Sequence, residues 1–390
     1  MIEIRRGTPA DYRQLMDQVV WSFRINTPAH LRFEFFDPAS VRPDAEAMAD
    51  WRLAFVDGEL AGGLVMVPRT MRFGAAEIRY GGIGHVHCFP RFRKAGVFSA
   101  LLRRAIEDME AGKIPVSLLG GDRQRYGHYG WEHAGYGRTL SLEPGQMRFD
   151  CDAEVPAVTD FREYMGDDED ARRIWAARQS ACACPVYTDF GEFKRIFARP
   201  NRVVYINERP QDGGFSYAVV ANGPRQILEY GGTPAGVERI IRFFVRVGGW
   251  NVTLPPVECH GPVEAMLDHY AQNMGVNNGN QMRVNNMALT LQAYLPWLET
   301  RLKGISARRS ILLEDGEWVS VESHSDGVAV NGGQGGGEAL QDKPDLRLTR
   351  REAAVLFFGP FLPQKALAAG DGFWRLAFPL PFYWPDLEHV

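Results

Sequence analysis

The sequence predicts an α+β fold built on mixed sheets with helices on their faces, and the order of its elements carries that expectation. The first 140 or so residues read strand, helix, several antiparallel strands, then strand–helix–strand. Beyond about residue 150 the pattern partly repeats, and from about residue 286 it changes again. A chain of 390 residues exceeds one comfortable core, so two or three units are expected.

The elements follow in order. Ile2 and Ile4 alternate with Glu3 and Arg5, the pattern of a short edge strand. Thr8-Pro9-Ala10-Asp11 reads as a helix start, with Leu15, Val19 and Phe23 supplying its buried stripe. Asp57-Gly58 between two apolar runs signals a hairpin, and Gly74 turns a further pair of strands that ends in Gly84 to Phe89. Val97, Phe98, Leu101, Leu102, Ala105, Ile106 and Met109 then mark one helical face, stopped at Gly112. Ile114 to Leu119 is a buried-strand candidate.

In the second stretch, residues near 168–180 and Val237 to Val245 look helical, with strands at Val203 to Ile206, Ser216 to Val220 and Gln226 to Gly231. In the third, Leu289 to Leu302 suggests one helix, and Ile311 to Leu313 and Trp318 to Val321 suggest strands. Asn331 to Gly337 reads as a flexible Gly-rich turn, and Thr349 to Glu352 as a capping box ahead of Ala353 to Phe358.

A net charge of -4 with no dense Lys/Arg block gives no nucleic-acid surface. Five scattered cysteines, an odd number, argue against a disulfide framework and for a reducing compartment. Cys182 and Cys184 form a tight C-x-C without further ligands nearby, so no metal is expected. With no basic-then-apolar leader and no apolar run of spanning length, the expectation is a soluble, cytoplasmic protein with no membrane partner.

The stretch from His85 to Leu102 carries the chemistry. A strand ends, a basic loop containing Gly96 follows, and a helix begins. A helix N-terminus exposes unpaired amides and the positive end of its dipole, which suits a pyrophosphate. Arg91, Arg93 and Lys94 add charge, and Gly96 lets the backbone approach phosphate oxygens. On residue types alone, a solvated basic loop explains the stretch equally well; it is neither a Walker loop nor a dinucleotide fingerprint.

Arg93-Lys94-Ala95-Gly96-Val97-Phe98 resembles the R-x-x-G-x-[GA] acetyl-CoA motif of GNAT acetyltransferases, with Phe98 departing from the small last position. That departure, together with Gly120-Gly121-Asp122 and Arg125-Tyr126-Gly127-His128-Tyr129-Gly130-Trp131, resembles the enhanced-intracellular-survival (Eis) branch. The resemblance is specific over residues 83–136 and architectural elsewhere. It implies tandem GNAT-like mixed-sheet domains, at 1–150 and a degenerate one at 151–285, then a sterol carrier protein-like α/β domain at 286–390.

The resemblance also implies the site. The strand backbone at His85, Val86 and His87 pairs with pantetheine, Arg93, Lys94, Ala95, Gly96, Val97 and Phe98 cradle the pyrophosphate, and Gly121 and Asp122 line the cofactor. Tyr126 matches the family's general acid; a phenol of pKa ~10 can protonate a leaving thiolate. The family's general base is the C-terminal carboxylate, here Val390, although this tail is longer and not aromatic, and Asp386, Glu388 and His389 compete. The implied co-substrate is acetyl-CoA. The implied acceptors are aminoglycoside-, polyamine- or lysine-like amines, and the implied assembly is a homo-oligomer built from trimers, hexamers among them.

His85 and His87 share one side of their strand, where they either touch substrate or pack. The resemblance also implies that the aromatic and acidic stretch Trp21 to Phe36, with Glu34 and Asp37, falls at the acceptor side, where rings and carboxylates suit a cationic amine. Two other readings stand beside acetyl transfer: an acyl-CoA or lipid-binding protein without turnover, and transfer of a longer acyl group.

Overall fold

The computed structural model describes residues 1–23, 42–148, 156–197, 202–221, 223–277, 280–336, 340 and 342–389. Glu34, Asp37, Cys151 and Val390, and most of the Trp21 to Phe36 stretch, lie outside the described residues.

The first sheet has eight strands. Ile2–Arg6 lies at its edge, antiparallel to Trp51–Val56, as the alternation of Ile2 and Ile4 predicts. Asp57 and Gly58 both take left-handed φ values, +50° and +81°, which a two-residue hairpin needs to match the twist of Trp51–Val56 and Glu59–Phe73. Gly74 returns that second strand into Ala76–Cys88. Val116–Leu119 then joins in parallel, but only beside Tyr80 to Ile83. Past Ile83 the ladder between the two strands ends.

The Val97–Ala111 helix follows its predicted pattern. Val97, Leu101, Leu102, Ala105 and Met109 are buried against Leu64, Ile83 and Leu119, while Arg103, Arg104, Glu107 and Glu110 face solvent. On the sheet's other face, Tyr80, Val116 and Leu118 join a core made with Leu291, Phe357, Trp374 and Phe382. Near its parallel pair the sheet is covered on both sides, which is why Val116–Leu119 reads as an unbroken apolar run.

The second sheet has seven strands and the third has four. Two strands cross the expected division of the chain. Gly137–Leu142, placed by position in the first unit, pairs in the second sheet with Trp250–Leu254 and Ala271–Asn277. Gln281–Val284, near the end of the second stretch, inserts into the first sheet between Val116–Leu119 and Glu132–His133.

Three expectations are corrected. The helix expected from Leu289 to Leu302 is two, Met287–Ala293 and Leu295–Arg301. Pro296 can supply no amide to the preceding turn, and Tyr294 between them is buried with its hydroxyl donating to Pro381 O at 2.7 Å. The Gly-rich turn is a strand as far as Gly333: Gly332 pairs with Val319, where a Cβ would meet Trp318 O at 2.7 Å and Ala288 Cβ at 2.9 Å. Glycine is there for close packing; Gly337 lies outside the described residues. Phe23 does not complete the stripe of the Tyr12–Ser22 helix. Leu15 and Val19 are fully buried, but Phe23 is 48% exposed beyond the helix end.

Candidate functional site

A cleft of about 840 Å³ opens beyond the end of that parallel ladder. Its walls come from Ser22 and Phe23, from Val86 to Cys88, from Phe92 to Lys94 and Gly96 to Ser99, and from Arg125; Ala95 and His85, expected at the site from sequence, do not line it.

The strand wall owes its shape to a bulge. Gly63 pairs with His87 and Val65 with Gly84, so Leu64 faces two residues, and His85 takes φ +51° to make room. The bulge also resets the strand's phase. Ile83 packs on the helix side, and after the extra residue Val86 and Cys88 do so too. His85 and His87 face the opposite way: His85 stacks on Trp51 (ring centroids 5.7 Å apart), and the His87 ring lies against Gly63. The shared side read from sequence is therefore correct, and it is the side of the Tyr12–Ser22 helix.

His87 Nδ1 lies 2.9 Å from His85 O, and the ring is 4% exposed. Burial pulls its pKa down to about 4, against the weaker effect of that hydrogen bond, so the imidazole is neutral at pH 7 and Nδ1 donates. The Cys88 thiol is pushed above its usual range by burial.

The loop wall is the start of the Val97–Ala111 helix. Lys94 at φ +69° and Gly96 at φ +86° fold the chain tightly into the helix, which has no side-chain cap. The Ala100 amide bonds Gly96 O, so the amides of Val97, Phe98 and Ser99 precede the first intrahelical bond. They sit in residues that line the cleft, together with the Arg93 and Lys94 side chains. A Cβ at Gly96 would have only Ile2 Cδ1, at 3.9 Å, within 4 Å, so this turn stands open. Unpaired amides at a helix start, flanked by cations in an open cleft, fit a diphosphate.

Arg91 does not share this place. It pairs with Glu59 and stacks over Phe92, its guanidinium 4.7 Å from the ring centroid. Arg125, which the sequence reading passed over, takes its part. It lines the cleft, lies over the Phe98 ring at 5.6 Å and is 60% exposed. The signal was present: a cation directly before Tyr126 in the segment already singled out.

Tyr126 stands behind Phe98, with ring centroids 5.7 Å apart, and is 7% exposed. Burial raises its pKa above the usual phenol value, which keeps the proton on oxygen at neutral pH. Gly121 seats that ring: its φ is +138°, and a Cβ there would approach Tyr126 Cε2 to 2.8 Å. The Asp122 carboxylate caps the next helical turn, accepting from the amides of Gln124 at 2.9 Å and Arg125 at 3.2 Å. Neither Gly121 nor Asp122 lines the cleft.

The acids near the chain end are engaged elsewhere. Glu388 is fully buried; its carboxylate accepts from Arg69 Nη1 at 3.0 Å, Tyr187 Oη at 2.5 Å and Arg178 Nη2 at 3.4 Å. Asp386 pairs with Arg202, and His389 Nε2 lies 3.2 Å from Trp384 O. Among the described residues no cluster of three His, Cys, Asp or Glu could hold a metal ion, and no helix is long and apolar enough to cross a membrane.

Residues 3–134 match the family model described as acetyltransferase (GNAT) domain. No match is found among curated proteins. Three solved structures share the fold along nearly the whole chain. A GCN5-related N-acetyltransferase from Kribbella flavida is 18% identical with a TM-score of 0.69, covering 100% of this chain and 97% of that one. One from Anabaena variabilis is 14% identical with a TM-score of 0.66, covering 97% and 96%. Eis1 from Mycobacterium abscessus is 14% identical with a TM-score of 0.64, again covering 97% and 96%. Over its N-terminal third the chain thus matches a GNAT acetyltransferase domain, and the solved structures agree with it in fold.

Proposed function

We propose that the chain is an Eis-type enzyme that moves an acetyl group from acetyl-CoA to the amine of an aminoglycoside-, polyamine- or lysine-like acceptor. The observation that carries this reading is the cleft itself: the unpaired amides of Val97 to Ser99 and the cations Arg93, Lys94 and Arg125 converge on one opening beyond the end of the parallel ladder. GNAT enzymes use acetyl-CoA as co-substrate, and these residues would take its diphosphate. The pantetheine arm would run along residues 85–87 toward Tyr126.

The amine attacks the thioester carbon, the C–S bond breaks, and Tyr126 gives its proton to the departing thiolate. Its raised pKa keeps the proton on the phenol oxygen at neutral pH, so the group is in the form a general acid needs. The general base of this reading is the Val390 carboxylate. Glu388 fits that role poorly, since two guanidinium groups and a phenol already claim its oxygens. The reading also keeps the divisions 1–150, 151–285 and 286–390, a sterol carrier protein-like third domain, a trimer-based homo-oligomer and a cytoplasmic location.

Thiol release from acetyl-CoA across a panel of amines tests it. The Tyr126→Phe enzyme is expected to lose about 10²–10⁴ in kcat with little change in the KM for acetyl-CoA. An unchanged kcat would remove Tyr126 from the mechanism. Tight coenzyme binding with no thiol release for any amine would favour a binding protein, and a strong preference for long-chain acyl-CoA would change the donor.

A further inference from the structure

A second cavity, of about 390 Å³, lies between the first and second sheets, far along the strands from the cleft. Three of the chain's five cysteines line it. Cys182 and Cys184 flank the start of Ala183–Val186, which pairs with the end of Glu59–Phe73 in the first sheet. Cys259 closes the turn after Trp250–Leu254 of the second sheet. Free cysteines tend to be buried singly as small apolar groups, so three on the wall of one cavity, drawn from two sheets, are unusual.

The three thiols are not equivalent. Cys182 and Cys259 line the same cavity and shift one another's ionisation in opposite directions. The Cys259 thiol is the main cause that brings Cys182 down to about 7; the Gly74 amide and Arg72 act the same way, while burial and Glu264 oppose. Cys259 is driven up correspondingly. Cys184 is raised by burial, although Arg72 Nη2 donates to its sulfur at 2.8 Å. Cys182 and Cys259 both line the cavity, with Cys182 half-buried and Cys259 buried. An accessible thiol with a second thiol lining the same cavity is the arrangement of an attacking and a resolving cysteine.

We propose that this cavity is a thiol–disulfide exchange site, in which Cys182 takes up a low-molecular-weight disulfide and Cys259 resolves the product. The Cys182 thiolate attacks one sulfur of the small disulfide. A bond to Cys182 Sγ forms, the S–S bond of the reagent breaks, and one small thiolate leaves and is protonated. Cys259 then gives up its proton to solvent and attacks Cys182 Sγ, which expels the second small thiolate. Two protein thiols are oxidised and one small disulfide is reduced, with no further oxidant. The new bond would tie the first sheet to the second across the cavity.

A volume of 390 Å³ suits a compact reagent. At pH 7 a thiol of pKa 7 is half ionised, against about 1% for one of pKa 9, a ~50-fold advantage. The lower basicity returns roughly a factor of 10, so Cys182 should react about 5-fold or more faster than an ordinary thiol.

The experiment uses the full chain, reduced and desalted, treated at pH 7 with the neutral probe bis(2-hydroxyethyl) disulfide and followed by intact mass and peptide mapping. The expected result is loss of two hydrogens, a Cys182–Cys259 cross-linked peptide, and modification of Cys182 at least ~5-fold faster than Cys88. Cys259→Ser should halt the reaction at one adduct on Cys182. A native protein whose Cys182 reacts no faster than it does in urea, or whose first adduct lies on Cys88, would overturn the proposal. So would an adduct on Cys182 that never passes to Cys259. Peptide mapping on the unaltered chain separates these outcomes even if a variant fails to fold. Acetyl transfer by the reduced enzyme is read separately and is expected to be the same for Cys182→Ser.

Discussion

Placing one methyl group at the mouth of the cleft separates coenzyme recognition from backbone strain. Gly96 has φ +86°, so an alanine there must hold a left-handed conformation, at a cost of about 1–2 kcal/mol. Gly58 has φ +81° and nothing within 4 Å of its Cβ position, so Gly58→Ala should lose about the same stability far from the cleft. In thermal unfolding the two variants are expected to fall together, by roughly 2–4 °C for each kcal/mol. They should divide in kinetics. The methyl group at residue 96 stands among amides offered to the diphosphate, and losing one charge-assisted hydrogen bond costs about 1.5–3 kcal/mol. That corresponds to a rise of roughly 10- to 150-fold in the KM for acetyl-CoA, against no change for Gly58→Ala. Equal KM values for both variants, with equal loss of stability, would mean that the diphosphate is not held at this turn.

The buried His87 should make stability pH-dependent. Its folded pKa of about 4 lies below the unfolded value of 6.5, so its contribution is complete above pH 6.5 and is lost as the pH falls toward 4, up to about 3 kcal/mol. Asp50, raised to about 6 by burial, acts oppositely between about 4 and 6, so the melting difference between the unaltered chain and His87→Gln at each pH isolates the histidine. A difference that stays constant from pH 7 to 4.5 would contradict the assignment. Glu388→Ala leaves Arg69 and Arg178 facing a lost charge and should cost about 3–5 kcal/mol in urea unfolding. Asp386→Ala, whose carboxylate is 42% exposed, should cost under about 1 kcal/mol, and equal effects would deny Glu388 its role in holding the chain end.

The legible parts of the fold are those fixed by neighbours in sequence. The Val97–Ala111 helix, the Asp57-Gly58 hairpin and the Thr349 capping box, with its Thr349 amide to Glu352 bond of 2.8 Å, each need only a few adjacent residues. The turn proposed to hold phosphate belongs to the same class, because a helix start, a glycine and two cations stand within six residues. Long-range pairing left no such mark. Nothing within Gln281–Val284 says that it will lie beside Val116–Leu119, some 165 residues earlier. The bond from Glu388 to Arg69 spans 319 residues, and no periodicity predicts which acid will meet which guanidinium. The Gly332 reading failed for a related reason: glycine signals a turn locally, but here it makes room for Ala288 and the Trp318 backbone.

The strand that returns to the first sheet ties catalysis to the timing of synthesis. When residue 136 has left the ribosome, the Arg93 to Phe98 loop and Tyr126 already exist, yet the place beside Val116–Leu119 stays empty until Gln281–Val284 arrives. At typical elongation rates that wait is on the order of 10 s, during which two strand edges beneath the nascent cleft have bare amides and carbonyls. Residues 1–150 alone therefore lack one strand of the first sheet. The first sheet is completed from downstream, and a ribosome that stops early releases it without that strand.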